Sequence, residues 1–149
     1  MNPSFSPIRF KTVLAAAIVL AGFSFGNAAF AQAKGMDDPF RAPYKKALEG
    51  KTVVFVPLAM GMDIAQGWLE GMKKDLEPHG VKVTARDPNW NTSAGAQAIT
   101  TLISEKPDVL VVHNPDVQTY AKLLQKAEEA GIQVVQINMR SAYQTVVFV

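Results

Sequence analysis

The chain is 149 residues long, with 15 basic and 13 acidic side chains and a formal net charge of +2. It contains no cysteine, which excludes disulfides, thiolate metal sites and the lipid-modified cysteine of an exported lipoprotein.

The first 33 residues have the three-part layout of a secretory signal peptide. Arg9 and Lys11 precede an apolar run at 12–26, and small residues follow at 31–33 (Ala-Gln-Ala). A membrane-anchor helix is the alternative, but the apolar core at 12–25 is shorter than the roughly 20 residues that span a bilayer. We therefore expect export, cleavage near Ala33 and a mature chain of 116 residues.

Removal of this segment changes the charge of the protein. Arg9 and Lys11 leave with it and no acidic residue does, so 13 basic side chains remain against 13 acidic ones. A neutral mature chain gives no indication of nucleic-acid binding or of attraction to an anionic membrane.

The mature part alternates between strand and helix patterns. Residues 34–50 are expected to be a lead-in with one helical turn near 44–48, followed by a single domain at 51–149. The predicted elements are strands at 51–56, 81–86, 109–112 and 132–137, helices beginning at 63, at 92 or 93 and near 117, and a fifth strand from 146.

Each predicted helix has one apolar face. Asp63 is expected to cap the first helix, and Pro78, Pro107 and Gly131 mark where the three helices have ended. The residues predicted to be buried are Ile64, Ala65, Trp68, Leu69, Met72 and Leu76 in the first helix, Ala94, Ala98, Ile99, Leu102 and Ile103 in the second, and Val117, Tyr120, Ala121, Leu124 and Ala127 in the third.

This alternation predicts an α/β fold, a Rossmann-like three-layer αβα lobe with a mostly parallel sheet. The last apolar run reaches the final residue without a cap or turn, so we also expect the lobe to be incomplete.

The third strand lies in the stretch 108–116 (DVLVVHNPD), which is apolar without alternation and then abruptly polar. Such a run is typical of a strand covered on both faces, and ligands bind at the carboxyl edge of parallel sheets. Asn114 can donate to and accept from a hydroxyl, so we predict a ligand contact there; capping of the next helix is the alternative. We predict a cap at Asp116 and a structural role for His113.

Further candidates follow the other strands. Asn138 and Arg140 come after the fourth strand, where a guanidinium suits hydroxyls or a carboxylate. Trp90 lies in the polar loop at 87–91. It could stack on a sugar or pack over the helix below, and we favour packing over the helix. Trp68 is expected in the core.

The sequence lacks the motifs of nucleotide-binding and metal-binding sites. Gly61 and Gly67 follow the first strand without a nucleotide-binding spacing, and two isolated histidines do not make a metal site, so no cofactor is expected. His113 and Asp116 leave one alternative function open, an exported α/β enzyme that uses them as base and acid on a small polyhydroxylated substrate.

With its export signal, the run PDVLVVHNPD and the segment AGIQVVQINM, the chain resembles the type I periplasmic binding proteins of sugar ABC transporters, the ribose-binding-like group. The resemblance covers roughly residues 50–149. It implies a non-enzymatic periplasmic protein, monomeric at full length, that closes two lobes around a sugar or polyol and delivers it to an inner-membrane permease. This chain would be most of the first lobe.

The resemblance also implies ligand contacts at three strand ends, at 60–65, at Asn114 and at 138–139. The paired aromatics expected after the first strand are replaced by Ile64 and Ala65, and the expected acid–arginine pair by Asn138 and Met139. These departures favour a polyol, a modified sugar or another small polar solute over a standard hexose or pentose. The full predicted set of ligand-binding residues is Met60, Met62, Asp63, Ile64, Trp90, Asn114, Asn138 and Arg140.

Overall fold

The structure is a computed structural model that describes residues 42–145 and 147–149. The predicted signal peptide at 1–33 and the first part of the lead-in lie outside the described residues. The elements are helices α1 (Ala42–Leu48), α2 (Asp63–Leu76), α3 (Thr92–Glu105) and α4 (Ala121–Glu129), and strands β1 (Thr52–Val56), β2 (Lys82–Ala85), β3 (Val109–His113), β4 (Gln133–Ile137) and β5 (Val147–Phe148). A 3-10 turn, Glu77–His79, follows α2.

The strands form one five-stranded sheet in the order β2-β1-β3-β4-β5, and every pairing is parallel. β3 lies at the centre, where Leu110 pairs in register with Val54 of β1 and with Val134 of β4. Its residues 110–113 are all buried, as a central strand covered on both faces requires. The predicted α/β fold with a parallel sheet is confirmed.

Helices cover the two faces of the sheet with separate cores. Between the sheet and helices α3 and α4 lie Val54, Val56, Ile99, Leu102, Leu110, Val112, Tyr120, Leu124, Ala127, Ile132 and Val134. On the opposite face, α2 and the end of α1 pack over Val53, Phe55, Ala65, Val81, Val83, Val111 and Ile137. This is the predicted three-layer arrangement.

The amino-terminal ends of β1 and β3 are joined by Asp108. Its carboxylate accepts hydrogen bonds from Lys51 Nζ (2.8 Å), the Thr52 amide (2.8 Å) and Thr52 Oγ1 (3.0 Å). The hydrogen bond from Lys51 is the main cause of a lowered pKa of Asp108. These hydrogen bonds lie at the amino-terminal edge of the sheet. The carboxyl edge, where ligands bind in parallel sheets, is the opposite one.

The start of α2 differs from the prediction. Asp63 does not cap it: Met62 is the N-cap residue, without a side-chain hydrogen bond, and Asp63 is the first helical residue. Its carboxylate still lies at the positive end of the helix dipole. Ile64, predicted to be buried, is 49% exposed, so this position does not face the core.

The third predicted helix begins later than expected. Asp116 accepts hydrogen bonds from the amides of Gln118 and Thr119 (both 2.7 Å), and the resulting turn delays α4 to Ala121. Val117, predicted to be buried, is 48% exposed as a result. Asp116 therefore caps the turn that precedes the helix, whereas Tyr120 is the N-cap residue of α4.

α3 begins at Thr92, one of the two predicted starts, but the prediction was wrong about one inner position. Asn91 caps the helix, with Oδ1 accepting from the Ala94 amide at 3.0 Å. Ala94 itself is exposed, and Gly95 occupies the buried position beside Tyr120. Within the described residues, the structure contains no helix long and apolar enough to cross a membrane.

Candidate functional site

The candidate site is the carboxyl edge of the sheet, because parallel strands bring all their carboxyl ends to one side. The turn after β1, the loop after β2 and the segments after β3 and β4 meet there. Together with the first turn of α2, they contain all eight residues that the sequence predicts as ligand contacts.

Asn114 and Gln136 form a buried amide network at this edge. Asn114 is 1% exposed, and its Nδ2 donates to Gln136 Oε1 (2.8 Å) and to the Met139 carbonyl (2.7 Å). Gln136 Oε1 also accepts from the Ser141 amide (2.7 Å), and Gln136 Nε2 donates to the Tyr143 carbonyl (2.9 Å) and Thr145 Oγ1 (3.0 Å). Both amides thus fix the segment after β4, while Asn114 Oδ1 has no partner among the described residues.

His113 lies on the other face of β3, packed against Trp68 of α2. The two rings are 5.4 Å apart, edge to face, and His113 is only 4% exposed. The side-chain amide of Asn138 forms a hydrogen bond with His113 Nε2 at 2.9 Å, and His113 Nδ1 is buried without a partner among the described residues. Burial lowers the pKa of His113 below its ordinary value of 6.5.

This environment predicts how stability depends on pH. Folding favours neutral His113, whereas the unfolded chain takes up a proton below pH 6.5. The contribution is therefore present above pH 6.5 and declines as the pH falls below it, by at most about 1.4 kcal/mol per pH unit. Urea unfolding between pH 8 and about pH 5 should show a shallower decline for His113→Gln than for the unaltered protein. Equal declines would contradict this assignment.

The residues that follow β1 are partly buried in the core and partly exposed to solvent. Met60 and Met62 are half-buried and pack on the α2-side core, while Asp63 and Ile64 are exposed. Asp87, after β2, holds this turn because its Oδ1 accepts from the Met60 amide at 3.1 Å. The same oxygen accepts from the Asn89 amide at 2.8 Å, so Asp87 is occupied by backbone groups.

The loop after β2 presents Trp90 to solvent. Its ring is 63% exposed, so it covers little of the helix below, contrary to the favoured interpretation of the sequence. Asn89 and Trp90 both have left-handed backbones, with φ of 49° and 65°. The Trp90 amide donates to the Leu58 carbonyl at 2.8 Å, which fixes this loop to the turn after β1.

The segment after β4 holds the remaining candidates. Asn138 has a left-handed backbone with φ of 63°, which turns its side chain towards His113. Arg140 is exposed, and its guanidinium carbon lies 4.4 Å from the centre of the Phe148 ring, a cation–π contact. The guanidinium donors of Arg140 are exposed to solvent at this edge of the sheet.

The arrangement does not favour acid–base chemistry by His113 and Asp116. His113 is buried with Nε2 bonded to Asn138, and the Asp116 carboxylate is bonded to Gln118 and Thr119. In the part of the chain that the structure describes, no three His, Cys, Asp or Glu side chains lie close enough to hold a metal ion.

Two residues that position the site were not found from the sequence. Gln136 could have been noticed as the polar residue in the otherwise apolar strand VVQI, where burial demands hydrogen-bond partners. Asp87 carried no comparable signal, because an acidic residue in a loop is usually a solvated one. The ligand contact at Asn114 stays a prediction, and the structure bonds its Nδ2 to Gln136 and Met139.

Comparison with known families gives one match. A family model described as a periplasmic binding protein domain matches residues 53–149, which is more than half of the chain. A comparison with curated proteins found no match.

Solved structures share the fold. An ABC sugar transporter subunit from Rhodobacter sphaeroides 2.4.1 is 26% identical, with a TM-score of 0.58 over 63% of this chain and 33% of that one. A periplasmic ribose ABC transporter from Conexibacter woesei DSM 14684 is 17% identical (TM-score 0.63; 68% and 35%). A solute-binding protein from Agrobacterium vitis with bound allitol is 22% identical (TM-score 0.57; 62% and 32%). The chain spans about a third of each of these structures.

Proposed function

Because the chain belongs to the periplasmic binding protein domain family, we propose that it is the substrate-binding component of an ABC transporter, binding a sugar or sugar-like small polar solute. The family match over residues 53–149, on a sheet whose carboxyl edge gathers hydrogen-bonding side chains, carries this proposal. No chemical step is part of it: the ligand is bound, carried and released unchanged.

The groups at the edge suit a neutral, polyhydroxylated ligand. The Oδ1 atoms of Asp87 and Asp116 accept hydrogen bonds from backbone amides, so these two carboxylates hold the loops of the edge. The exposed polar and aromatic side chains at the edge are Asp63, Asn138, Arg140 and Trp90, and the Asn138 amide also contacts His113. Amides and guanidinium donors pair with hydroxyls, and an indole face contacts C–H groups.

The matched structures support both a sugar-like ligand and a longer, two-lobed protein. Two of them are described as a ribose transporter protein and as a protein with bound allitol, a sugar and a polyol. Since this chain spans about a third of each, we propose that it supplies most of the first lobe. A second lobe would then provide the opposite wall, and hinge closure would form contacts that exist only in the shut state.

The remaining parts of the proposal concern place and partners. We propose that residues 1–33 direct export and are removed near Ala33, that the mature protein is a periplasmic monomer, and that it delivers its ligand to an inner-membrane permease. Its neutral charge beyond residue 33 is compatible with a freely diffusing carrier.

The test is a thermal-shift screen of the complete mature protein with D-ribose, ribitol, D-allose, allitol and L-rhamnose. Binding at 100 times the dissociation constant stabilises the folded state by about 2.7 kcal/mol, so a bound solute should clearly raise the melting temperature. Arg140→Ala should reduce that rise, whereas Arg86→Ala, which removes a surface arginine paired with Glu105, should leave it unchanged. No shift with any sugar or polyol would contradict the proposal.

A further inference from the structure

We propose that His113 is a positioning residue for a ligand contact at Asn138: by accepting a hydrogen bond from Asn138 Nδ2, it leaves the amide oxygen, Oδ1, to accept from a ligand hydroxyl. The inference rests on the proposed sugar-binding function. His113 ends β3 and Asn138 follows β4, and these strands are neighbours, with His113 in register with Ile137. The hydrogen bond therefore joins two strand ends at the edge where ligands bind in parallel sheets.

The packing of the His113 ring is the first observation. The ring is buried, and Trp68 of α2 packs against it edge to face, with the ring centres 5.4 Å apart. Trp68 packs in turn against Phe55 of β1, at 6.4 Å. Because His113 is enclosed between the sheet and α2, its Nε2 has a fixed place beside Asn138.

The hydrogen bonding of the ring is the second observation. Among the described residues, Nε2 bonds to Asn138 and Nδ1 has no partner. A buried nitrogen without a partner destabilises the folded state, so an apolar side chain would suit the packing at this position better than histidine does. The histidine provides a bond to Asn138 that an apolar side chain could not form.

The surroundings of Asn138 are the third observation. Asn138 is exposed at the edge, although His113 and Ile137 beside it are buried. With Trp68 and Ile137 it lines a cavity of about 400 Å³, whose other described lining side chains are apolar. An amide that bonds His113 on one side and is open on the other can contact a ligand hydroxyl without losing the first bond.

The amide of Asn138 has a donating and an accepting end, and His113 determines which of them a ligand meets. Burial lowers the pKa of His113, so the ring is neutral and one of its nitrogens has no proton; we assign this nitrogen as Nε2. An unprotonated nitrogen only accepts, so it binds the NH₂ end and leaves the carbonyl oxygen for a hydroxyl that donates. With leucine at position 113 the amide could rotate and present either end. A preorganised amide loses less conformational freedom on binding.

A double-mutant cycle in the complete mature protein tests this role by calorimetric titration. The solutes are those among D-ribose, ribitol, D-allose, allitol and L-rhamnose that raise the melting temperature. His113→Leu should weaken their binding by about threefold to tenfold, as expected when one hydrogen bond no longer orients the amide. In an Asn138→Gly background, where glycine tolerates the φ of 63°, the same substitution should change the affinity less than about twofold. His113→Gln, whose own amide can bond Asn138, should recover most of the loss.

His79→Leu is the matched control, because it replaces the other histidine, in the turn after α2, and should leave the affinity unchanged. ¹⁵N NMR of the histidine-labelled, unaltered protein should show His113 protonated on Nδ1 and not on Nε2, whether or not the variants fold. Equal losses from His113→Leu in both backgrounds, or a neutral ring protonated on Nε2, would overturn the positioning role while sugar binding remained intact. If none of the five solutes binds the unaltered protein, the proposed function fails together with this role.

Discussion

Gln136→Leu should destabilise the protein by roughly 3 kcal/mol, the largest effect that we expect from a single substitution in this chain. Gln136 is 1% exposed and bonds four groups, two through Oε1 and two through Nε2. A leucine of similar volume would leave the Ser141 amide buried without an acceptor. It would also remove one of the two acceptors of Asn114 Nδ2, so the segment that positions Arg140 would loosen.

The control is Gln133→Leu, at an exposed position of the same strand. That change should alter the free energy of unfolding by no more than about 0.5 kcal/mol. Urea unfolding of both variants gives the comparison. A Gln136→Leu midpoint equal to that of Gln133→Leu would show that the amide network contributes no net stability.

Gly95→Ala should destabilise the protein by about 2 kcal/mol, although alanine is the better helix former. A Cβ at position 95 would lie 1.9 Å from the hydroxyl oxygen of Tyr120 and 2.9 Å from its Cζ. Tyr120 is 2% exposed and lies within the core between α3 and α4, so its rigid ring cannot move aside cheaply. Tyr120 and Trp90 line the same small cavity, so a displaced Tyr120 ring would also disturb the candidate site.

Gly71→Ala in α2 gives the opposite sign and serves as the matched substitution. A Cβ at position 71 would meet nothing within 4 Å, so alanine gains about 0.5–1 kcal/mol from its better helix propensity without a clash. Thermal unfolding of the two variants should therefore shift in opposite directions. Shifts of the same sign would contradict the packing described for Gly95.

The sheet could be predicted from the sequence because β1, β3 and β4 lie in short, mostly apolar runs and β2 lies in a segment that alternates apolar and polar residues. For β3 the apolar run at 109–112 predicted a strand covered on both faces, and residues 110–113 are buried in the central strand of the sheet. The helices α2, α3 and α4 followed from their apolar periodicity, with inner residues such as Ala65, Leu102 and Leu124 buried as expected.

The details of the edge could not be predicted, because they depend on contacts between residues distant in sequence. Asp116 resembled a helix cap, but its two amide partners form a turn that moves the helix start to Ala121. Asn114 resembled a free amide, yet Gln136, 22 positions later, accepts from it. Trp90 was expected to cover a helix, and only the folded loop shows the strained backbone that turns it outwards.

The most direct test of binding without chemistry is calorimetric titration of the complete mature protein with the best solute from the screen, followed by mass and chromatographic analysis of the solute after prolonged incubation. We predict saturable binding of one molecule per protein and recovery of the solute unchanged. We also predict that His113→Ala yields no change in solute turnover, because there is none to lose. Conversion of the solute by the unaltered protein, abolished by His113→Ala, would contradict the account and establish an enzyme instead.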